Sequence, residues 1–265
     1  MDRRMAVRGS FYPRRCDEIE RMIAGFDRRA QKQFHKRDLL ARHPRAIIVP
    51  HAGYIYSGYT ANLAYRVAAD SRPKRVIVIG PSHHYYFEGI SVAEYDRFET
   101  PCGPLPIDRA YIAKIKKYFP VTFDPEAHRK EHSTEVQMPF VRHYFPDAKV
   151  VEIVYGKTKP ALLAKLIYAL LRDRENLVVI STDLSHFYTL EAAKKRDNVC
   201  LNAVAKRDPA ILKRGCEACG YTGLAAMLGV VKKAGLKTAL LDYRTSADAT
   251  GDRQRVVGYM SAIVW

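Results

Sequence analysis

Three short apolar runs in this chain each lead directly into a segment that contains histidine. The runs span residues 46–49, 76–79 and 177–180. β-branched residues on successive positions are typical of strands that are covered on both faces in a parallel or mixed sheet. In open α/β sheets, ligands bind outside the carboxyl ends of the strands. We therefore expect His51, His83 and His186, together with Asp183, to meet at one edge of a sheet.

The rest of the pattern alternates between helix and strand periodicity. Helices are predicted over residues 17–33, 60–69, 160–172, 190–205 and 224–231, and further strands over residues 89–93, 149–155, 237–245 and 256–264. This alternation predicts an α/β layer architecture. Because no Gly/Ser/Pro-rich linker or low-complexity tract interrupts the chain, we expect residues 1–265 to form a single domain.

Further polar residues are candidates for lining a pocket at that edge. Ser133 can cap a short helix, and His132 and Glu135 are spaced so that both could point into a pocket from its first turn. A solvent-facing polar turn fits the same spacing equally well. Tyr54 and His84 lie in the segments that follow the first two strands, and they complete the pocket candidates.

The cysteines indicate a ligand rather than a scaffold. Five cysteines, an odd number, do not indicate a disulfide framework. Cys216 and Cys219 form a C-x-x-C pair without a second pair, so we do not expect a closed structural zinc site. Cys219 precedes a predicted helix, whose N-terminus would lower the pKa of its thiol and favour the thiolate. Cys216 is either a disulfide partner for Cys219 or a small buried residue, and Cys102 is expected to be a structural thiol.

The net charge of +16 comes from 44 Lys and Arg against 28 Asp and Glu. The basic residues are scattered in twos and threes without a nucleic-acid-binding motif, so a nucleic-acid partner is not expected. A basic surface can instead steer an anionic substrate. The N-terminus has no signal-peptide pattern and no run reaches membrane-spanning length, so we expect a cytoplasmic protein that does not bind a membrane. Formation of an oligomer is compatible with this sequence.

A set of short motifs in order along the chain resembles one known family. The motifs are GSFYP (9–13), PHAGY (50–54), GPSHH (80–84), EHSTE (131–135), STDLSH (181–186), CG (219–220) and VGY (257–259). They resemble the MEMO family, also called AmmeMemoRadiSam system protein B, whose fold is similar to that of the class III extradiol dioxygenases. This resemblance implies an α/β fold with a central mixed sheet flanked by helices. The resemblance implies a metal pocket with His51, His83 and Cys219 as ligands and with Asp183 and His186 lining it.

The types of ligand atom limit which metal ions would suit this site. Imidazole and thiolate together suit iron, copper or zinc and disfavour magnesium or calcium. Extradiol dioxygenases use two histidines and a carboxylate, so Cys219 departs from their pattern and favours a redox role over ring cleavage. We expect iron or copper, with zinc as an adventitious alternative. His186 is the candidate general acid or base, and Asp183 would orient it or serve as an alternative ligand.

Three classes of function are compatible with these residues. The chain is expected to be a metal-dependent oxidoreductase that acts on a small molecule. The alternative is a non-catalytic adaptor that binds a small molecule or peptide in the same pocket. The third class, a basic nucleic-acid binder, has only the net charge in its favour.

Overall fold

The computed structural model describes residues 1–265, apart from the side chain of Arg37. The strands of this part of the chain are β1 (Asp2–Arg3), β2 (Ala46–Val49), β3 (Arg75–Pro81), β4 (Ile90–Val92), β5 (Arg97–Phe98), β6 (Leu105–Pro106), β7 (Lys149–Tyr155), β8 (Asn176–Ser181), β9 (His186–Tyr188), β10 (Thr238–Thr245) and β11 (Val256–Val264). Every position of β2 and β8 is buried, as their unbroken apolar pattern predicts.

The helices cover both faces of the sheet strands with their apolar sides. They are α1 (Cys16–Gln33), α2 (Tyr54–Ala68), α3 (Arg109–Tyr118), α4 (Pro125–Arg129), α5 (His132–Glu135), α6 (Met138–Tyr144), α7 (Pro160–Arg172), α8 (Leu190–Lys206), α9 (Pro209–Leu212), α10 (Tyr221–Ala234) and α11 (Ala247–Thr250). Among the described helices, none has the length and apolarity that crossing a membrane requires.

The main sheet has the strand order β10-β11-β2-β8-β3-β7-β4, and β9 pairs with β11 beside it. The central strands β2, β8, β3 and β7 are parallel, whereas β4, β10 and β11 run antiparallel to their neighbours. A small second sheet joins β1, β5 and β6. The predicted α/β fold, with a central mixed sheet flanked by helices, is confirmed.

The register of the central strands places the three histidine-containing segments side by side. Val49 at the end of β2 pairs with Ser181 at the end of β8, and Ile180 of β8 pairs with Ile79 of β3. Because these strands are parallel and adjacent, the loops that follow them leave the same edge of the sheet. This edge holds the candidate site.

The helix predicted over residues 60–69 begins earlier, at Tyr54. Gly53 occupies its N-cap position, and Gly58 lies inside the helix instead of in a turn. A Cβ atom at Gly58 would lie 2.8 Å from the ring of Phe26. This glycine therefore allows α1 to pack closely against α2, a tertiary reason that the local pattern does not show.

The expectation that the cysteines form no disulfide framework is wrong. Cys16 is bonded to Cys102, and Cys200 is bonded to Cys216. Cys219 is the free cysteine, and it accounts for the odd number. Cys102 is therefore not a free thiol, and Cys216 has Cys200 as its partner in place of Cys219.

Candidate functional site

Three imidazoles meet at the carboxyl edge of the sheet. One ligand nitrogen each from His51, His83 and His132 lies within 4.8 Å of the others, a spacing that a metal ion could bridge. The ring centroids are 5.1 Å apart for His51 and His83, 5.4 Å for His51 and His132, and 4.4 Å for His83 and His132. His51 follows β2, His83 follows β3, and His132 opens α5. We call these three residues the histidine cluster.

The direction of the hydrogen bonds around Ser181 fixes the tautomer of His51. The hydroxyl of Ser181 lies 2.6 Å from the carbonyl oxygen of Ser133, which can only accept, so Ser181 donates its proton there. Gln137 Nε2 donates to the carbonyl of Pro50 at 2.9 Å and to Ser181 Oγ at 3.0 Å. Ser181 Oγ is therefore an acceptor for His51 Nδ1, 2.9 Å away. The proton of His51 lies on Nδ1, and its Nε2 keeps a free lone pair.

Glu131 holds His83 in the same tautomer. Its carboxylate accepts hydrogen bonds from His83 N at 2.5 Å and His83 Nδ1 at 2.9 Å, and it caps α5 through Ser133 N at 2.8 Å. Burial alone would raise the pKa of Glu131, but the hydrogen bonds that its carboxylate accepts from His83 and Ser133 outweigh it and lower the pKa to about 2. A carboxylate on Nδ1 leaves Nε2 as the free nitrogen of His83, as in many metal-binding histidines.

Burial keeps the rest of the cluster uncharged. Burial, with the neighbouring His83, lowers the pKa of His51 to about 3. Burial, with the neighbouring His51 and His83, lowers the pKa of His132 to about 3. His132 Nδ1 lies 3.2 Å from Nε2 of His84, so the exposed His84 contacts the cluster from outside. Neutral imidazoles are the form that binds metal ions.

Cys219 lies beside the cluster, in direct contact with His51. Its sulfur is 3.3 Å from His51 Nε2 and accepts a hydrogen bond from the backbone of Asp183 at 3.2 Å. Burial, together with the Asp183 carboxylate, raises the pKa of the thiol to about 12. The expected effect of the α10 N-terminus is thus outweighed by burial. The cysteine is a protonated thiol until a bound cation displaces its proton.

Asp183 and His186 take separate positions on the segment that follows β8. Asp183 Oδ1 accepts a hydrogen bond from His51 N at 2.7 Å, and burial raises the pKa of this carboxyl to about 6. His186 is half-buried at the start of β9, where it pairs with Val257. Among the described residues, no hydrogen bond joins Asp183 to His186. Asp183 therefore holds the backbone of His51, rather than orienting His186 as expected.

Two of the residues predicted to line the pocket, Tyr54 and Glu135, lie in the protein interior. Tyr54 is buried, and its hydroxyl donates to the carbonyl of Val136 at 3.0 Å. The fully buried Glu135 accepts hydrogen bonds from the N-terminal segment, at 2.7 Å from Ala6 N, 2.8 Å from Val7 N and 2.8 Å from the Tyr12 hydroxyl. Their polar atoms are satisfied within the protein interior, so neither residue is placed to contact a ligand beside the histidine cluster.

An open cleft of about 470 Å³ leads to the cluster, and His83, His84, Lys157 and Cys219 are among its lining residues. Large exposed hydrophobic side chains directly follow the predicted ligand segments. They are Ile55, Tyr56, Tyr85, Tyr86 and Phe187. We call Tyr56, Tyr85, Tyr86 and Phe187 the aromatic rim. Tyr85 and Tyr86 line the cleft itself, and exposed apolar groups at a cleft mark surfaces that bind other molecules.

Sequence reasoning proposed His51, His83 and Cys219 as ligands and assigned no role to Glu131 or Ser181, which contact His83 and His51. Glu131 carried one local signal, because it stands two positions before Ser133, at the N-cap of α5, where a side-chain oxygen can accept a hydrogen bond from the first turn. Its contact with His83 spans 48 positions of the chain and has no local signal. Ser181 stood out only as the residue after the predicted strand, at the start of the STDLSH motif.

Comparisons with known proteins match nearly the whole chain. The family described as "Memo-like protein" matches residues 3–263. A MEMO1 family protein of Aquifex aeolicus is 33% identical over 276 residues, which cover 98% of each chain. A MEMO1 family protein of Methanococcoides burtonii is 35% identical over 274 residues, 99% of each chain. An uncharacterized Escherichia coli K12 protein of known structure superimposes with a TM-score of 0.53 at 14% identity, over 84% of this chain and all of that one, and this likeness concerns the fold alone.

Proposed function

Since the chain belongs to the Memo-like family, we propose that it is a metal-dependent oxidoreductase with one iron or copper ion at the histidine cluster. The observation that carries this proposal is the pair of fixed tautomers. Ser181 and Glu131 hold the Nδ1 protons of His51 and His83, so both Nε2 lone pairs are available to one ion. Histidines that served only to pack the core would have no need of Nε2 atoms without a hydrogen-bonded carboxylate or hydroxyl beside an open cleft.

The proposed ligands are His51, His83 and Cys219. A thiolate adds negative charge that two neutral imidazoles lack, and it favours iron or copper over harder cations. His132 is a competing third ligand, because its nitrogen belongs to the same group of donor atoms. When bound, an iron or copper ion would supply one-electron chemistry and an open position for a substrate.

His186 is the proposed acid or base for a substrate in the cleft. It lies at the start of β9, outside the donor group and three residues after Asp183. It is only half-buried, so it can exchange protons with solvent as well as with a bound molecule. Asp183 is an alternative ligand, since its Oδ2 lies 3.9 Å from His51 Nε2.

The aromatic rim favours a second function, that of an adaptor which binds a small molecule or peptide in the same cleft. Phe187 is 62% exposed and has a φ of +65°, a backbone conformation that bulky residues rarely adopt. The guanidinium of Arg255 lies 5.2 Å from its ring centroid. Strained backbone combined with an exposed ring is typical of a site that contacts another molecule.

Nitric oxide distinguishes the two functions, because it binds ferrous ions that keep an open position. Protein loaded anaerobically with Fe²⁺ should give the EPR signal of a high-spin ferrous site with nitric oxide. The H186A variant should keep the signal, since His186 is not a proposed ligand, and the H51A/H83A double variant should lose it. Bound iron that gives no such signal and does not cycle between oxidation states would favour the adaptor.

A further inference from the structure

A second group of metal-ligand atoms lies where α1, the turn after β5 and α6 come together. Cys16 and Glu20 are one helical turn apart at the start of α1, and their ligand atoms lie within 4.8 Å of each other and of Cys102. Cys102 Sγ is 3.9 Å from one carboxylate oxygen of Glu20. The other oxygen of Glu20 accepts from His143 Nδ1 at 2.7 Å. Two sulfurs, a carboxylate and an imidazole thus converge from three separate segments.

The two disulfides of the protein differ in their surroundings. A disulfide needs no further ligand groups around its two cysteines. Among the described residues, no carboxylate or imidazole forms a donor group with Cys200 and Cys216. The Cys16–Cys102 pair, in contrast, has Glu20 and His143 beside it. Cys16, Cys102 and His143 are also partly exposed, so a reductant and a metal ion can reach them.

We propose that the reduced form of this pair is a zinc site, with Cys16, Cys102, Glu20 and His143 as its ligands. Thiolate, imidazole and carboxylate are the usual ligands of Zn²⁺, and closed structural sites are four-coordinate. The N-terminus of α1 stabilises a thiolate at Cys16. Two thiolates and a carboxylate leave the zinc complex with one net negative charge. Arg142, whose Nε donates to the carbonyl of Cys102 at 3.0 Å, places a positive charge next to it.

The site exchanges a covalent link for a metal link. A dithiol reductant transfers two electrons and two protons to the Cys16–Cys102 bond and becomes a disulfide itself. Zn²⁺ then displaces the two thiol protons and joins the sulfurs to Glu20 and His143. Hydrogen peroxide reverses the change: the two thiolates lose two electrons and form the S–S bond, Zn²⁺ leaves, and the peroxide takes up the electrons with two protons to give water.

Cobalt(II) tests this site because its visible spectrum reports both tetrahedral geometry and thiolate ligands. The H51A/H83A variant removes the histidine cluster, so the outcome does not depend on the function proposed for that cluster. After reduction with a phosphine, this variant should bind about one Co²⁺ per chain. The oxidised protein should bind none with that spectrum. Further substitution of C16S/C102S should abolish binding, whereas the matched C200S/C216S pair should leave it unchanged.

Single variants that keep both cysteines separate a loss of metal binding from a loss of folding. In the same background, E20Q and H143Q should each weaken Co²⁺ binding by about 10–100-fold, while the melting temperature of the oxidised protein is retained. The inference is overturned if the reduced protein shows no tetrahedral Co²⁺ spectrum, or if C200S/C216S removes it as completely as C16S/C102S. It is equally overturned if E20Q and H143Q bind Co²⁺ as tightly as their parent.

Discussion

At the scale of single residues, the candidate site combines uncharged donors with a protonated thiol. His51 and His132 are neutral because burial lowers the pKa of each to about 3, whereas burial raises the pKa of Cys219 to about 12. Binding a metal through Cys219 must therefore release a proton at neutral pH, but binding through His132 releases none. The pH dependence of metal affinity consequently distinguishes the two candidates for third ligand.

Between pH 7 and pH 9, the apparent Kd for Fe²⁺ should fall about tenfold per pH unit, since the thiolate fraction of Cys219 rises tenfold per unit below its pKa. The measurement is anaerobic competition with a chelator of known affinity. The C219S variant should bind more weakly and lose this slope. If wild type gives a flat profile while H132Q binds weakly, the third ligand is His132 instead of Cys219.

Some residues of this site could be predicted from the sequence, and others could not. His51 and His83 were predictable because each directly follows a buried strand, where ligands of α/β proteins gather. His132 could be placed only as one of two equal alternatives, since a polar turn on the surface has the same local pattern. Ser181 and Glu131 act through hydrogen bonds to residues far away in the chain, and no periodicity encodes such contacts.

At the scale of elements, a buried ionic network attaches the N-terminal strand to the segment that carries His132. Arg3 of β1 lies 3.5 Å from Glu135 and 3.7 Å from Glu152 of β7, and all three side chains are buried. Burial alone would raise the pKa of Glu152, but the charges of His128 and Arg3 outweigh it and lower the pKa. Arg3 also donates to the carbonyl of Glu131 at 2.9 Å. These contacts attach β1 to the segment that carries His132.

Removal of Arg3 should be costly because it takes a shared counter-charge away from two buried carboxylates. We expect R3A to lower the free energy of unfolding by about 3–5 kcal/mol, as measured by urea denaturation. The matched control is R97A, which breaks the 2.8 Å pair of Arg97 with Asp2 on the same small sheet, where the Arg97 side chain is 58% exposed. That variant should cost less than about 1 kcal/mol. Equal losses in the two variants would mean that Arg3 does not stabilise the buried carboxylates.

At the scale of the whole molecule, the order of the strands in the main sheet brings the residues of the site together. The parallel neighbours β2, β8 and β3 bring together loops that are far apart in sequence, and the antiparallel β11 pairs with β2 beside them. The alternation of strand and helix patterns was sufficient to predict an α/β architecture, and the family resemblance implied the central sheet flanked by helices. They could not predict the disulfides, because pairing depends on which cysteines the folded chain brings together. The odd count misled the prediction, since Cys219 alone stays free beside the histidine cluster.

The central claim is that His51 and His83 hold one metal ion, and elemental analysis tests it directly. Protein with its disulfides intact, loaded anaerobically with Fe²⁺ or Cu²⁺ and then desalted, should retain about one ion per chain. The H51A/H83A variant should retain none, while H35A/H43A, which removes two exposed histidines outside the cluster, should match wild type. Equal metal content in wild type and H51A/H83A would contradict the assignment of the site.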